Sequence, residues 1–384
     1  MTRNIQKDSI LLLSTADWDA QLWTNKQYMT EELAKEFRVV YLEPIPHRNP
    51  DINLSDLKRI FKRIFKRIKY IKSQRAIDIE NFVLVSPILI PIFSENLRPL
   101  INKLNQSLLQ FQLKSLLHEI GLIWTFTPML NGLEELEIPI VYHSVDLIHE
   151  IPNNYRKIIL DSERKMTVFS DLYVIASSSG VKAHLSEIGF ERISLWTNVG
   201  KKQSNMINDC SGRENEVVFV GNIVDHKLDF DLINLLLTTF PETKFHFVGP
   251  GDHIDKINRE KNAIFHGHLS LSQASKLMNR CKVGIIPYAI NTYTEGVLPL
   301  KLFEYLQAGL IVLSTRLPSV IEIGLDAGLV VVSESHTIFI KNLKEILKGT
   351  FKINEAKDLG DIHSWESRGI QARNLASRLL RKSE

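Results

Sequence analysis

Residues 295–314, EGVLPLKLFEYLQAGLIVLS, place a loop with glycine and proline before a short helical pattern and an apolar strand. The start of a helix offers free backbone N–H groups and the positive end of the helix dipole, so it suits a phosphate group. Lys301 in the first turn adds a positive charge for a diphosphate. Glu304 follows on the same helical face, where its carboxylate can accept hydrogen bonds from the vicinal hydroxyls of a ribose. The alternative is an ion pair between Lys301 and Glu304 on a surface helix.

His143 and Asp146 follow the apolar run 138–142. If this run is a parallel strand, both side chains emerge at its carboxyl end, which is the edge where open parallel sheets bind ligands. Asp146 can then hold or deprotonate a hydroxyl group of an acceptor. The alternative is a structural role, with Asp146 as a helix N-cap and His143 packed in the core.

A second group, Asp17, Trp18 and Asp19, follows the first apolar run at 10–14 and would leave it at the same edge. We expect these residues to shape an acceptor pocket in which Trp18 stacks on a sugar ring, whereas Trp23 is predicted to be core. Asp17 and Asp19 have the spacing of a metal-binding acidic pair. They lie in the half without the phosphate-binding loop, so we expect no metal site.

Short apolar runs alternate with helical patterns through most of the chain, which is typical of parallel sheets covered by helices. The predicted strands of the first half are 10–14, 39–42, 82–85, 122–126, 138–142, 172–176 and 193–196. Helices are predicted between them at 26–37, 97–119, 153–169 and 178–188, which suits right-handed crossovers. The predicted strands of the second half are 217–220, 245–248, 263–265, 283–287, 311–314 and 330–332.

Residues 201–216 are polar and offer little to bury, so they predict a linker between two domains. We expect an N-terminal domain at 1–200 and a C-terminal domain at 217–354. Residues 355–384 form a predicted tail, in which 365–380 has an amphipathic helical pattern that can pack on either domain.

The chain has 384 residues, 44% of them hydrophobic, which suffices for two cores of the usual domain size. No apolar run reaches the roughly 18 residues that would span a membrane, and residues 1–8 lack the apolar segment of a secretory signal. We therefore expect a cytoplasmic protein. Cys210 and Cys281 lie far apart without metal-ligand spacing, so neither a disulfide nor a structural zinc site is expected.

Residues 58–75 carry nine basic side chains and no acid, whereas the other 38 Lys and Arg residues stand against 44 acids. At helical spacing the apolar side chains form one stripe: Ile60, Phe61, Ile64, Phe65, Ile68 and Ile71. Basic residues surround that stripe: Lys58, Arg59, Lys62, Arg63, Lys66, Arg67 and Lys69. This pattern predicts a helix in an anionic membrane interface, and the alternative is a solvated surface helix. No recognition motif accompanies the charge, so we expect no nucleic-acid partner.

The stretch 295–314 resembles the donor-site signature of glycosyltransferases with the GT-B fold, in particular the large retaining family four of group 1. The resemblance continues through three further stretches, 219–250, 265–269 and 281–288. Residues 141–146, VYHSVD, and the pair Trp18-Asp19 are similar to bacterial cell-wall and exopolysaccharide transferases of the teichuronic-acid type. The resemblance implies an α/β chain of two Rossmann-like domains facing across a cleft, with a C-terminal helix. In the first half of the chain, the resemblance lies more in the order of predicted strands and helices than in sequence motifs.

By this resemblance, the second domain binds the nucleotide-sugar donor. Gly221 and Asn222 form the glycine loop that approaches the diphosphate, where a side chain at 221 would crowd the phosphate. Lys227 falls near a basic residue that the family places against the diphosphate, or it is a solvated loop lysine. The family contacts the nucleobase largely through backbone groups at the positions of His266, Gly267 and His268. The remaining donor-site residues are Pro299, Leu300, Lys301 and Glu304.

Many family members place two glutamates eight positions apart, the first touching the donor sugar and the second the ribose. In this sequence Glu295 and Glu304 lie nine positions apart. Either a one-residue insertion displaces Glu295, or the backbone of 296–298 contacts the sugar instead. The predicted catalytic residues are Glu295, Asp146 and His143. For His143 the resemblance implies a contact with the donor sugar, because many relatives have a histidine at a comparable position that makes this contact.

The resemblance implies transfer of a sugar from a nucleotide diphosphate donor to a saccharide or lipid-linked acceptor in bacterial surface polysaccharide synthesis. The transfer would retain the anomeric configuration and take place at the inner face of the cell membrane. No cofactor or metal is expected, since helix N-termini, Lys301 and Lys227 can stabilise the leaving diphosphate. The alternatives are a catalytically silent binding subunit of a membrane glycan assembly and a nucleotide-sugar epimerase, for which the sequence shows no dedicated set of acids.

Overall fold

A computed structural model of the chain describes residues 8–20, 22–45, 81–90, 95–151, 156–200, 213–251, 253–323, 330–350 and 363–381. The predicted basic helix at 58–75 lies outside these residues. The chain divides into two compact units. Unit 1 comprises Met1–Ala176, His184–Ser194 and Gly369–Glu384, and unit 2 comprises Ser177–Ala183 and Leu195–Arg368.

Unit 1 contains a seven-stranded sheet in the order β3-β2-β1-β4-β5-β6-β7, with parallel pairing from β3 to β6. Its strands are β1 Ser9–Leu13, β2 Val39–Leu42, β3 Phe82–Val85, β4 Ile120–Thr125, β5 Ile140–Ser144, β6 Leu172–Ala176 and β7 Ile193–Leu195. The accompanying helices are α1 Asn25–Ala34, α2 Arg98–Leu117 and α3 Arg156–Met166, with 3-10 turns at Glu95–Leu97, Leu133–Leu136 and Ile148–Glu150. Helix α4 Ser179–Ile188 belongs to unit 2 up to Ala183 and to unit 1 from His184. Every residue of β1, β2, β4 and β5 is buried, as expected of parallel strands covered on both faces.

Unit 2 contains a six-stranded parallel sheet in the order β10-β9-β8-β11-β12-β13. Its strands are β8 Glu214–Val220, β9 Phe245–Val248, β10 Ala263–Gly267, β11 Cys281–Ile286, β12 Ile311–Thr315 and β13 Val330–Ser333. Its helices are α5 Phe230–Thr239, α6 Leu271–Arg280, α7 Thr292–Glu295, α8 Leu300–Gln307, α9 Pro318–Glu322 and α10 His336–Lys348, with a 3-10 turn at Ile254–Lys256. The last helix, α11 Trp365–Leu380, belongs to unit 2 up to Arg368 and to unit 1 from Gly369.

Strand order reverses beside the first strand of each sheet, between β1 and β4 in unit 1 and between β8 and β11 in unit 2. At such a switch point the connections leave in opposite directions, and the space at the carboxyl ends of the two strands is open to a ligand. The topology therefore predicts ligand-binding positions at the loops after β8 and β11, and at the loops after β1 and β4.

Helix α8 follows the switch point of unit 2 and is fixed at its middle and its end. The Tyr305 hydroxyl accepts a hydrogen bond of 2.8 Å from the Val220 amide. A Cβ at Gly284 would lie 2.5 Å from the Tyr305 ring, so β11 has a glycine where the helix packs closest. Arg213 donates a hydrogen bond of 2.6 Å to the Ala308 carbonyl at the end of the helix.

The predicted α/β class is confirmed, and most predicted strands agree with the observed ones to within two residues. Strand β8 differs because it begins at Glu214, inside the predicted linker 201–216. Its first two residues are exposed and polar, so they lack the apolar pattern that marks a strand. The units also differ from the predicted division at 1–200, since the chain from Leu195 groups with unit 2.

Candidate functional site

Two glycines shape the loops at the carboxyl ends of β8 and β9. Gly221 directly follows β8, and its amide donates a hydrogen bond of 2.7 Å to the Val248 carbonyl. Gly249 follows β9 with a φ of +127°, and a Cβ there would lie 2.3 Å from the Gly221 carbonyl oxygen. The two loops therefore pack backbone against backbone, which requires glycine.

The side chain of Lys301 lies directly against Gly221. A Cβ at Gly221 would lie 2.1 Å from Cε and 2.4 Å from Nζ of Lys301. The Lys301 ammonium also lies 5.9 Å from the centroid of the Phe219 ring. Since Lys301 sits in the first turn of α8, the glycine loop, a cationic side chain and the positive end of a helix meet at one switch point.

Charged groups around Lys301 influence one another strongly. Burial lowers the pKa of Lys301 to about 8, while Glu304 raises it and Lys227 lowers it further. Burial also raises the pKa of Glu304, against the effect of Lys301. No ion pair within 4.0 Å joins Lys301 to Glu304 in the described part of the chain, so the alternative of a surface ion pair is not what the structure shows.

Lys227 is positioned by the loop that precedes α5. Its carbonyl accepts a hydrogen bond of 2.8 Å from Ala289, and the side chain of Asn291 donates to the neighbouring His226 carbonyl at 3.1 Å. The Lys227 ammonium lies 5.4 Å from the centroid of the Tyr293 ring. Lys227 lies near enough to Lys301 to lower its pKa, and Tyr293 is a contact that the sequence did not indicate.

Two buried side chains hold the loop between α7 and α8. Ser178 Oγ donates a hydrogen bond of 2.6 Å to the Gly296 carbonyl, and Asn198 Nδ2 donates one of 2.6 Å to the Leu298 carbonyl. Both carbonyls lie in the predicted sugar-contacting backbone 296–298. The sequence did not indicate either residue, because they lie 118 and 100 positions from the carbonyls they bond, and no local pattern marks a side chain that bonds a distant carbonyl.

Glu295 ends α7 with an exposed side chain. A Cβ at Gly180 would lie 2.6 Å from the Glu295 carbonyl oxygen, so its backbone is closely packed while its carboxylate is exposed. Pro299 is buried and acts as the N-cap residue of α8, and Leu300 begins the helix. Asn222, the second residue of the glycine loop, is exposed.

His266 takes part in a chain of polar contacts at the edge of the unit 2 sheet. Its Nε2 lies 2.9 Å from Nδ1 of buried His246, whose Nε2 lies 3.0 Å from Oε2 of Glu216. Burial lowers the pKa of both histidines. Gly267 has a φ of +61°, and its carbonyl accepts a hydrogen bond of 2.7 Å from Gly249. These contacts fix β10 beside the glycine loops, whereas His268 is exposed.

In unit 1, His143 lies near the end of β5 and is buried. Its ring stacks on Phe126, with centroids 5.0 Å apart, and Phe126 follows β4 at the switch point. The ammonium of buried Lys26 lies 5.7 Å from the centroid of the same Phe126 ring. Asp146 is half-buried and precedes the 3-10 turn Ile148–Glu150 without capping it. Lys26 is a further candidate that the sequence did not indicate.

The structure corrects the prediction for Trp18. Its side chain is only 8% exposed, and its ring packs against Trp23, Tyr41 and Phe82 with centroids 4.4 to 5.1 Å apart. Its amide donates a hydrogen bond of 3.0 Å to buried Glu43. Trp18 is therefore a core residue without a free face for a sugar ring. Its neighbours Asp17 and Asp19 are exposed.

These features define the class of protein. The chain resembles HepE of Anabaena, solved in complex with UDP and glucose, with a TM-score of 0.61 at 14% identity over 98% of this chain and 97% of that one. It resembles sucrose-phosphate synthase of Thermosynechococcus elongatus with a TM-score of 0.67 at 14% identity, over 98% and 100% of the two chains. The two sheets with their helices therefore have the GT-B fold.

Sequence comparison adds the family of the second unit. Residues 214–349 match the family described as "Glycosyl transferases group 1". A stretch of 144 residues is 36% identical to the putative teichuronic acid biosynthesis glycosyltransferase TuaH of Bacillus subtilis. This alignment covers 36% of the chain and 35% of the relative, so about a third of each. Residues 214–349 are thus a group 1 glycosyltransferase domain.

Proposed function

We propose that the chain transfers a sugar from a nucleoside diphosphate donor to a saccharide or lipid-linked acceptor in bacterial surface polysaccharide synthesis. The observation that carries the proposal is the position of Lys301 against Gly221, with Glu304 one helical turn away at the switch point of unit 2. The group 1 domain at 214–349 and the resemblance to TuaH support it. A backbone loop, two ammonium groups and a carboxylate form a set that suits a diphosphate and a ribose.

The proposed reaction breaks the bond between the sugar and the diphosphate. Negative charge then develops on the leaving diphosphate, and Lys301, Lys227 and the first turn of α8 would stabilise it. In this proposal the transfer needs no metal and retains the anomeric configuration. The carbonyls of Gly296 and Leu298 are already bonded to Ser178 and Asn198, which fixes the backbone proposed to face the sugar.

Unit 1 would bind the acceptor at the carboxyl edge of its sheet. His143 and Phe126 stack there, and buried Lys26 places a positive charge against the same ring. Asp146 is the proposed base for an acceptor hydroxyl, because it is half-buried and follows β5 at this edge. His143, being buried, would act by hydrogen bonding rather than as an exposed base.

The test of the proposed activity is nucleotide binding followed by turnover. Thermal shift and calorimetry with UDP, GDP, dTDP and CMP should show saturable binding of one nucleotide. Glu304→Gln should weaken that binding, whereas the exposed Glu334→Gln control, with the same loss of charge, should bind normally. The matching nucleotide sugar should then be hydrolysed or transferred at the same rate with and without added Mg²⁺ or Mn²⁺. Binding without any turnover would instead indicate a silent binding subunit.

We further propose that the chain works at the inner surface of the cell membrane. None of the helices in the described residues has the length and hydropathy of a membrane span. Helix α2 nevertheless carries a stripe of exposed apolar side chains at helical spacing: Leu100, Leu104, Leu108 and Phe111, the last 75% exposed. Together with the basic segment 58–75, this stripe supports peripheral attachment to anionic lipid.

Vesicle sedimentation tests this attachment. The chain should bind vesicles that contain phosphatidylglycerol and not vesicles of phosphatidylcholine alone, with binding lost at high salt. Replacing Lys62, Arg63 and Lys66 with glutamine should reduce binding. The matched control replaces the exposed lysines of α10, Lys341, Lys344 and Lys348, and should leave binding unchanged. Equal losses in both triple variants would show a general charge effect and contradict the proposal.

A further inference from the structure

A compact cluster of His149, Glu163 and His184 lies in unit 1. The three residues come from the 3-10 turn Ile148–Glu150, from α3 and from α4. One potential ligand atom of each lies within 4.8 Å of those of the other two. His184 Nε2 is 2.8 Å from Oε2 of Glu163, and the two histidine rings stack with centroids 4.1 Å apart.

The cluster is shielded from solvent but not saturated with hydrogen bonds. The side chains of His149, Glu163 and His184 are 5%, 2% and 13% exposed. His149 Nε2 lies 3.2 Å from Oε1 of Glu150, whereas His149 Nδ1 is buried and has no hydrogen-bond partner among the described residues. A buried ring nitrogen without a partner is uncommon and costs stability unless a water or an ion satisfies it.

We propose that His149, Glu163 and His184 bind a transition-metal ion, with Zn²⁺ as the preferred ion. Two imidazoles and one carboxylate form a ligand set typical of zinc. The outer contacts are also of the kind that orient zinc ligands, since Glu150 contacts His149 and the Tyr142 hydroxyl donates a hydrogen bond of 2.8 Å to Glu163 Oε1. That bond leaves Glu163 Oε2, the oxygen nearer to His184, for the ion.

The proposed ion would stabilise unit 1 rather than take part in sugar transfer. It would tie the turn Ile148–Glu150, which follows β5 and Asp146, to helices α3 and α4. The sequence predicted no such site, because only the cysteine spacing and the pair Asp17 and Asp19 had suggested metal ligands. The histidines are 35 positions apart, and Glu163 lies between them without a recognised metal motif. The proposal does not depend on the proposed activity.

A second cluster of possible ligands provides an internal control. Glu216, His246 and Cys281 in unit 2 also lie within 4.8 Å of one another. Two of the three side chains are already engaged, because Glu216 pairs with Lys244 at 2.9 Å and contacts His246, which in turn contacts His266. We therefore expect Zn²⁺ at the cluster of unit 1 and not at this one.

The experiment uses the full chain, stripped with a chelator, dialysed and titrated with ZnCl₂ by calorimetry, with bound zinc counted by elemental analysis. We expect one Zn²⁺ per chain and a higher Tm when it is bound. His149→Gln and His184→Gln should each weaken binding by about 10-fold or more. His246→Gln and the exposed His118→Gln should leave the affinity and the stoichiometry unchanged.

The wild-type chain keeps the proposal falsifiable if a variant fails to fold. Co²⁺ added to the stripped wild-type chain should give the visible d–d absorption of a site with nitrogen and oxygen ligands, and Zn²⁺ should displace it. No uptake of Zn²⁺ by the wild type would overturn the proposal and favour a buried water at His149. Unchanged uptake by folded His149→Gln and His184→Gln would overturn it as well.

Discussion

The hydroxyl of Ser178 donates a hydrogen bond of 2.6 Å to the carbonyl oxygen of Gly296, 118 positions further along the chain. The same hydroxyl accepts a hydrogen bond of 3.1 Å from the Val181 amide at the start of α4. One side chain therefore caps a helix and holds the loop that leads into α8. Since both bonds are buried, the loop has little freedom to move away from Ser178.

Ser178→Ala should destabilise unit 2 and weaken donor binding together. It leaves the Gly296 carbonyl and the Val181 amide without their partner, which costs about 1–3 kcal/mol. The measurement is chemical denaturation alongside nucleotide affinity. Ser179→Ala is the matched control, because the neighbouring serine bonds Glu322 at the exposed surface. If the two variants behave alike, the buried bond to Gly296 does not position the loop.

Gly221→Ala should weaken diphosphate binding and also lower stability, because an alanine is strained at the φ of +154° that Gly221 adopts. The new methyl group would lie 2.1 Å from Lys301 Cε, so the flexible lysine side chain must leave its position over the loop. We expect the nucleotide Kd to rise by about 10-fold or more, which corresponds to about 1.4 kcal/mol. Calorimetry with the nucleotide that binds the wild type measures this change.

The control for this variant is Gly349→Ala, at the end of α10. Gly349 has a φ of +74°, and a Cβ there meets no atom within 4 Å. This variant therefore tests the general cost of an alanine at a positive φ without displacing Lys301. Equal nucleotide affinity in the Gly221→Ala variant and the wild type would mean that Lys301 does not bind the diphosphate from its position against Gly221.

Nucleotide affinity should fall as the pH rises through about 8. Lys301 binds an anion only as a cation, and burial lowers its pKa to about 8 in the ligand-free protein. A bound diphosphate favours the cation, so its binding takes up a proton above this pH. The terminal phosphate of the ligand is already ionised there, since its own pKa is about 6. Calorimetry from about pH 7 to pH 10 checks the slope.

Lys301→Arg separates this effect from general changes in charge. A guanidinium stays protonated throughout the range, so the decline around pH 8 should disappear in the variant even if its affinity differs from that of the wild type. An unchanged decline in Lys301→Arg would assign the titration to another group.

Much of the fold was predictable because a short hydrophobic run in the sequence is enough to indicate a buried parallel strand. The strands Val39–Leu42 and Phe82–Val85 were predicted to the residue, since they are short apolar runs between polar segments. Lys301 and Glu304 were also found locally, because one helical turn sets their spacing. Their mutual effects on pKa, by contrast, depend on burial that the sequence does not show.

Residues that act across long separations were not predictable from spacing. Ser178 and Asn198 donate hydrogen bonds to the loop before α8, although they lie 118 and 100 positions before the residues they bond. The cluster of His149, Glu163 and His184 likewise forms only after three elements pack together. For Trp18 the sequence predicted a ligand contact, whereas the structure shows a buried side chain. Its position after β1 suggested a ligand edge, but Tyr41 and Phe82, from β2 and β3, cover its ring.

Trp18→Ala should therefore destabilise unit 1 rather than selectively impair acceptor recognition. The substitution removes a buried indole that packs against Trp23, Tyr41 and Phe82, and cavities of this kind cost about 3–5 kcal/mol. Trp18→Phe fills part of the space and should lose less. Equilibrium denaturation of both variants, with acceptor KM measured at a temperature where each is folded, distinguishes the two roles. A large rise in acceptor KM with an unchanged denaturation midpoint would restore the prediction that Trp18 stacks on a sugar.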